Sequence, residues 1–475
     1  MNTNSIQFSW DELAACSDGE WLDTGLQTMQ TPGIREVITD SRCVCRDALF
    51  VALEGERFDG HDFVLSAVDH GAAVVCVADR PADDVLAALQ SRAVPCLQVD
   101  DTLRAYQALG RHHRMRFSEL TVVAITGSSG KTSTKEIIGS ILAAHFDGEV
   151  LISEGNTNNQ IGVPQNLLRL HERHRAAVLE LGTNAPGEIQ TLTELVNPDL
   201  AVLTNIGPVH LAGLGNMDGV AREKAGVFAG LRDRPGHAVL PHELLANPRI
   251  AAVIPHERTV TFGTASKAGV TVTYLEGDFE RSRFRVERHD ETPAMDIDWN
   301  ISGAHQAMNA GAGFAVASIL GIADDTVRRA LASCRLPGMR MRTVEQNGLQ
   351  WVNDAYNANP DSIRALIDWM ASVLSPSRQQ SSSLVLGDML ELGPGGEQLH
   401  KRILEYARQK LPTARCIAFG PHMCRAAADL DIPGFESIDE LRAFLEQNLA
   451  TGDTVILKGS RGMALERLLP PGTEG

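Results

Sequence analysis

Short apolar runs recur along the 475-residue chain, each followed by a polar turn and a longer stretch of helical period. Runs of this kind read as strands buried on both faces. Their alternation with helices predicts a mainly parallel sheet with helices on both sides. Up to about Thr102 the runs are Ala48–Leu53, Ala73–Ala78 and Cys96–Val99, with helix-like segments between them, and Leu103–Phe117 reads as a helix. From Thr121 to about Pro337 the alternation continues, with Ala177–Glu180 and Leu200–Asn205 as buried strands. Ala252–Trp299 differs: its stretch TVTYLEGDFERSRFRVERHD alternates polar and apolar, which predicts an antiparallel excursion at a sheet edge. A Pro-Gly pair at Leu336–Gly338 breaks the pattern and reads as a linker. Beyond it, strands are expected near Leu384–Leu386, Cys416–Phe419 and Thr454–Leu457, and SPSRQQSSS (Ser375–Ser383) reads as a solvated loop. No fixed-period repeat is present. The pattern predicts three α/β domains, residues 1–102, 103–337 and 338–475; chain length alone suggests about three.

Composition narrows the class. Hydrophobic residues make up 43% and charged residues 22%, as in ordinary globular proteins. No apolar run reaches the length of about 18 residues that crosses a bilayer. MNTNSIQFSWDELAA, Met1–Ala15, lacks the basic segment and apolar core of a secretion signal, so the chain is expected to be cytoplasmic, with no membrane partner. The eight Cys are scattered, and the Cys43/Cys45 pair has no second pair at metal-site spacing, which fits reduced thiols. A net charge of −17 argues against a nucleic-acid partner. Anionic ligands must then be held by local donors.

Such donors stand in TVVAITGSSGKTSTKE, Thr121–Glu136. A β-branched strand ends in a Gly-containing turn that delivers Lys131 and Thr132 to the start of a helix, the context of a phosphate-binding loop. Gly127 and Gly130, flanking Ser128 and Ser129, let backbone N–H groups approach phosphate oxygens, and the helix start adds further donors. Lys131 would bridge the β- and γ-phosphates, and the Thr132 hydroxyl would sit on Mg2+. The usual loop is G-x-x-x-x-G-K-[ST]; here Ile125 takes the place of its first Gly, leaving the shorter G-x-x-G-K-T.

Two further strand ends carry chemistry. LELGTN offers Glu180 and NIGPVHL offers His210, and ligands of open α/β sheets collect at the carboxyl ends of strands. Thr132 and Glu180 suit Mg2+, which prefers oxygen; a His ligand is less typical. Singly, Glu180 would serve as well to cap a helix, and His210 to satisfy a loop carbonyl. GNTNNQIGVP supplies Asn156, Thr157, Asn158 and Asn159, neutral groups suited to a sugar diphosphate or hydrated metal, or simply an Asx-rich turn.

The short loop resembles that of the Mur ligases and folylpolyglutamate synthases, and the rest of the chain resembles the Mur ligase family throughout. ITDSR (Ile38–Arg42) and LEGERFDGHDF (Leu53–Phe63) resemble its N-terminal uridine-nucleotide domain; NTNNQIGVP, LELGTNAPGEI and NIGPVHL its central ATPase domain; and DAYNANPDS (Asp354–Ser362), LGDMLELG (Leu386–Gly393) and LKGSRGMALE (Leu457–Glu466) its C-terminal, Rossmann-like domain. The resemblance implies an ATP-dependent amide ligase of peptidoglycan precursor synthesis that joins D-Ala-D-Ala to a UDP-linked muramoyl tripeptide through an acyl phosphate; a monomer is expected. It also implies metal, as two Mg2+, on Thr132, Glu180, His210 and Lys224, the last as a carbamate; by sequence alone Lys224 reads as a solvated helix lysine. Lys131, Glu180, His210 and Lys224 would form the catalytic set. Asp354 would accept from the ATP ribose with Tyr356 and Asn357 nearby, and Asn309 would contact adenine. Ser41, Arg42, Gly60, His61 and Asp62 match the uridine-nucleotide pocket, and Lys458, Ser460 and Arg461 would face the peptide substrates.

Two positions depart from the family pattern. Gln306 stands where an Asn is usual in G-x-H-N, and Met339 where an Arg is usual in P-G-R, so that Arg340 or Arg342 would reach the γ-phosphate. Two rival readings compete with this one, another ligase of the superfamily and a non-catalytic nucleotide switch. DSR and DGHDF speak against a folate ligase, and the absence of DNPR against the sister ligase that adds the third residue. A non-catalytic nucleotide switch would not need Glu180, His210 and Lys224 together.

Overall fold

The structure is a computed structural model that describes residues 8–22, 34–55, 57–289 and 292–470. Glu56 of the LEGERFDGHDF stretch, Asp290 at the end of the alternating stretch, and the first seven residues of the supposed leader-free N-terminus lie outside the described set. The chain divides into two compact units: Met1–Ala124, Glu149–Gly182 and Thr191–Pro198 form one, and Ile125–Gly148, Thr183–Gln190 and Asp199–Gly475 the other. Among the described residues no helix is long and apolar enough to cross a membrane.

In the first unit a five-stranded sheet has the order β1 (Glu20–Trp21), β5 (Cys96–Gln98), β4 (Ala72–Val77), β3 (Ala48–Val51), β2 (Glu36–Ile38). All pairs are parallel except β1 with β5. The predicted strands are all present. Side chains alternate across the sheet: Leu49, Val51, Val74, Cys76 and Leu97 enter one core, while Phe50, Val75, Val77 and Cys96 enter another. The predicted helix spans Thr102–Met115, is capped by Asp101, and adds Ala105, Tyr106 and Leu109 to the first core. Further on, β7 (Val150–Ile152) and β8 (Ala176–Glu180) pair in parallel. The strand before the phosphate loop, β6 (Thr121–Thr126), contributes its last two residues to the second unit.

In the second unit β9 (Leu200–Leu203), β10 (His237–Pro241), β11 (Thr259–Gly263) and the start of β12 (Val270–Gly277) are parallel neighbours. β12, β13 (Ser282–Arg288) and β14 (Met295–Trp299) continue as an antiparallel meander. The antiparallel excursion is therefore shorter than expected, because β11 belongs to the parallel part. Its Phe262 is buried beneath the helix Ala304–Ile319, where Gly311 packs on Phe262 and Val272.

The remaining sheet has the order β15 (Arg342–Gln346), β16 (Leu349–Asn353), β20 (Thr454–Lys458), β17 (Ser382–Gly387), β18 (Arg415–Phe419), β19 (Gly434–Phe435), with β15 alone antiparallel. Strands β16, β20 and β17 thus bring Asp354, Lys458 and Asp388 to one edge at their carboxyl ends, where ligands of such sheets collect. Ser375–Ser383 is not a solvated loop. Ser375 caps a helix at Pro376–Gln380, and Ser382 and Ser383 are buried in β17, the Ser382 hydroxyl donating to the Arg378 carbonyl at 2.7 Å. Local hydrogen bonds let a serine run enter the interior.

Candidate active site

The loop after β6 is held in shape by backbone freedom and by its neighbours. Gly127 and Gly130 have φ of +152° and +77°. A Cβ on Gly127 would lie 1.9 Å from Thr204 Oγ1, and one on Gly130 2.6 Å from Asn309 Oδ1. Neither position admits a side chain. The Ser128 hydroxyl donates to the Gly207 carbonyl at 3.0 Å and accepts from the Gly207 N–H at 2.8 Å. Asn205 accepts from the Ser129 N–H at 2.8 Å and donates to its hydroxyl at 2.7 Å, while Thr204 Oγ1 donates to the Ser129 carbonyl at 2.5 Å. Lys131 Nζ donates back to the Gly127 carbonyl at 2.9 Å, and the helix Lys131–His145 starts on Gly130. This close backbone cradle at a helix start fits a polyphosphate with its cation.

Arg340 reaches the loop. Its Nη2 donates to Thr132 Oγ1 at 3.0 Å, and its guanidinium lies 3.8 Å over the Tyr356 ring. Stacking fixes a planar cation beside the hydroxyl proposed for metal. Arg342 starts β15 instead. A cavity of about 560 Å³ opens beside the linker, lined in part by Arg281, Arg335, Gly338, Arg340 and Arg342. Gln306 is buried and its Oε1 accepts from Asn309 Nδ2 at 2.9 Å, so the two amides are joined to each other.

At the edge of the last sheet, Lys458 Nζ lies 2.6 Å from Asp354 Oδ2, and Asp354 Oδ1 accepts from the Met341 N–H at 3.2 Å. A residue expected at the ribose and one expected at the peptide therefore form one pair. Tyr356 N–H donates to the Met339 carbonyl at 3.3 Å, and Asn357 Oδ1 accepts from Ala358. Ser460 is buried with its hydroxyl accepting from Leu390 N–H at 2.9 Å; Arg461 is half exposed and bonded to Glu466 at 2.6 Å. His210 (φ +50°) starts the short helix Leu211–Leu214, and its Nδ1 lies 2.5 Å from Glu391 Oε2. Lys224, on the helix Met217–Ala225, is fully buried, which sets aside the solvated-lysine reading.

In the first unit Glu180 ends β8 and is 3% exposed; its Oε1 accepts from Asn158 Nδ2 at 2.9 Å. Asn158 also donates to Asn156 at 3.1 Å, Thr157 donates to the Glu154 carbonyl at 2.6 Å, and Asn159 accepts from the Ile161 and Gly162 N–H groups at 3.2 and 2.8 Å. The polar run is thus a self-bonded turn that also grips Glu180. Ser41 is buried behind Asp40, which accepts from Arg42 through backbone and side chain; that guanidinium contact holds the Asp40 carboxyl at about 2. Gly60 opens a turn (Gly60–Phe63) that also holds Asp62, and a Cβ there would lie 2.7 Å from Leu53 N. His61 links Asp59, at 2.6 Å, to the Ala78 N–H, at 2.9 Å.

The sequence reading passed over Thr204, Asn205, Asn359 and Glu391. The first two lie in or beside NIGPVHL, read only for its histidine. Asn359 Nδ2 donates to the Ser128 carbonyl at 3.4 Å, and Glu391 stands inside LGDMLELG, which carried no assigned residue.

Residues 33–114 match the Mur ligase catalytic domain, 125–317 the Mur ligase middle domain, and 339–461 the Mur ligase glutamate ligase domain. A UDP-N-acetylmuramoyl-tripeptide–D-alanyl-D-alanine ligase of Bacillus subtilis is 34% identical over 456 residues, 92% of either chain. The crystal structure of MurF from Acinetobacter baumannii superposes with a TM-score of 0.86 at 30% identity, covering 98% of both chains. That of MurF ligase from Thermotoga maritima in complex with ADP superposes with a TM-score of 0.79 at 25% identity, covering 93% of this chain and 97% of that one. With profile matches in all three regions and this identity along nearly the whole length, the chain belongs to the Mur ligase family.

Proposed function

We propose that the chain is an ATP-dependent ligase that joins D-Ala-D-Ala to UDP-N-acetylmuramoyl-tripeptide, acting in the cytoplasm as a monomer. The observation that carries this is the Gly127–Thr132 cradle with Arg340 on its threonine, in a chain that spans nearly the full length of ligases named for that reaction. A carboxylate is a poor electrophile. In the proposed reaction the tripeptide carboxylate takes the γ-phosphoryl group of ATP, with ADP leaving. The dipeptide amine then forms the C–N bond and phosphate leaves. Bound Mg2+ would neutralise phosphate charge and orient the γ-phosphoryl group.

The chain's own groups would do the rest. The loop N–H groups hold the β-phosphate, Lys131 turns from the Gly127 carbonyl to the transferred group, and Arg340 stabilises the charge that develops there. Thr132, Glu180, His210 and carbamylated Lys224 would hold the cations. Carbamylation fits the burial of Lys224, since it exchanges a desolvated ammonium for an anion that pairs with metal. Asn309, Asp354, Tyr356 and Asn357 would seat adenosine. Ser41, Arg42, Gly60, His61 and Asp62 would seat the uridine nucleotide, and Asn156–Asn159, Lys458, Ser460 and Arg461 the remaining substrate. Closure near Pro337 and Gly338 would keep water from the acyl phosphate.

The test is phosphate release from Mg-ATP with the UDP-tripeptide, with and without D-Ala-D-Ala, with the product weighed by mass spectrometry. Release that requires both substrates and yields a UDP-pentapeptide is expected. Release with a UDP-dipeptide and a diamino acid, or with a folate and glutamate, would move the protein to a sister branch. Lys224→Ala is expected to abolish turnover without rescue by bicarbonate.

A further inference from the structure

We propose that Glu391 is a positioning residue that holds the His210 imidazole as its Nδ1–H tautomer and so presents Nε2 as a lone-pair donor to a divalent cation. The inference rests on the reading of His210 as a metal ligand and adds the group that aims it.

Three observations meet at this contact. Glu391 Oε2 lies 2.5 Å from His210 Nδ1. A carboxylate only accepts, so Nδ1 carries a hydrogen, and in the neutral imidazole Nε2 is then the bare nitrogen. Metal-binding imidazoles are commonly oriented this way, through the nitrogen that does not touch the metal. Both residues also hold left-handed backbone: φ is +50° at His210 and +66° at Glu391. Neither is glycine, and strained residues of this kind gather where a site demands one geometry. Finally, the two loops are fastened backbone to backbone. The Ala212 N–H donates to the Glu391 carbonyl at 3.2 Å, and a Cβ on Gly393 would lie 3.3 Å from Ala212 Cα. The loop LGDMLELG is thereby placed in register with NIGPVHL.

A purely structural ion pair explains this less well. The Glu391 side chain is 58% exposed, and exposed pairs contribute little stability.

The test uses the full-length protein without substrates. Nitrogen-15 spectra at about pH 8.5, above the ordinary histidine range, report the tautomer of each imidazole, and His210→Gln identifies the His210 signals. Glu391→Gly removes the carboxylate at a backbone angle that glycine adopts freely, and Glu391→Gln keeps an accepting oxygen. Wild type and Glu391→Gln are expected to show Nδ1–H, and Glu391→Gly to move toward Nε2–H with an unchanged melting temperature. Mn2+ affinity in the presence of ADP, read by paramagnetic resonance, is expected to weaken about 10–100-fold in Glu391→Gly and to recover in Glu391→Gln. A wild-type Nε2–H tautomer, or an unaltered tautomer in Glu391→Gly, overturns the proposal. So does a shifted tautomer with unchanged Mn2+ affinity. None of these results bears on the ligase reading, which fails only if phosphate release does not depend on its two substrates.

Discussion

Replacing Lys458 by Met tests whether the edge where β16 and β20 end is held by charge. The Nζ–Oδ2 distance to Asp354 is 2.6 Å, and the side chains are 6% and 14% exposed. At an effective dielectric constant of 20 the Coulomb term is about 6 kcal/mol, an upper bound that desolvation of both ions offsets. Removing one partner leaves a carboxylate with one hydrogen bond, from the Met341 N–H, in a site that water scarcely reaches. Such a break costs about 3–5 kcal/mol. At about 2–4 °C per kcal/mol, Lys458→Met should lower the melting temperature by roughly 6–20 °C. Fluorescence would follow it, with Trp351 in β16 as a local reporter. The double variant Asp354→Asn/Lys458→Met removes both charges and should recover most of the loss. Its ligase activity should remain low, because the two residues are also proposed to meet substrates. A single variant within about 1 kcal/mol of wild type, or a double variant as unstable as the single, would refute the electrostatic argument.

Gly130→Ala places a Cβ 2.6 Å from Asn309 Oδ1 at φ +77°; with roughly 1–2 kcal/mol of backbone penalty alone, ADP affinity by calorimetry should fall about tenfold or more, and unchanged affinity would mean the loop has room to spare. Arg340→Lys keeps the charge but loses the fork that both stacks on Tyr356 and donates to Thr132, so kcat/KM for ATP should fall about 10–100-fold; a wild-type value would remove Arg340 from the site. His113 is buried between Phe8 and Phe117, with Nε2 donating to the Leu170 carbonyl at 2.9 Å, and burial pushes its pKa down. Below about pH 6.5 the unfolded chain takes a proton that the folded one refuses, so stability is full above that pH and falls on acidification. Urea unfolding at two pH values should show this slope, and His113→Gln should make it shallower while other histidines whose pKa desolvation pushes down, such as His174 and His305, keep part of it.

How much could be read beforehand follows from which forces act locally. The strands Ala48–Val51 and Cys96–Gln98 and the helix Thr102–Met115 stand where their patterns put them, because apolar period and an Asp cap act over a few residues. The turn after β6 was equally legible, since its conformation depends on Gly127 and Gly130 at set spacing. Ser382 and Ser383 were misread because composition alone does not reveal that the Ser382 hydroxyl is satisfied locally by the Arg378 carbonyl and that of Ser383 by Arg415, 32 residues away. β11 was misread because its parallel pairing depends on β10, about twenty residues away.

The sequence by itself therefore determined the family, the order of strands and helices, and the chemical groups available at the strand ends. Partnership was decided in three dimensions. Arg340 rather than Arg342 touches Thr132, 208 residues away. Lys458 and Asp354 neutralise each other although read as facing different ligands, and Glu391 grips His210. Each pairing joins residues far apart in the chain, so no local rule of spacing or period encodes it; it appears only once sheets and loops are packed.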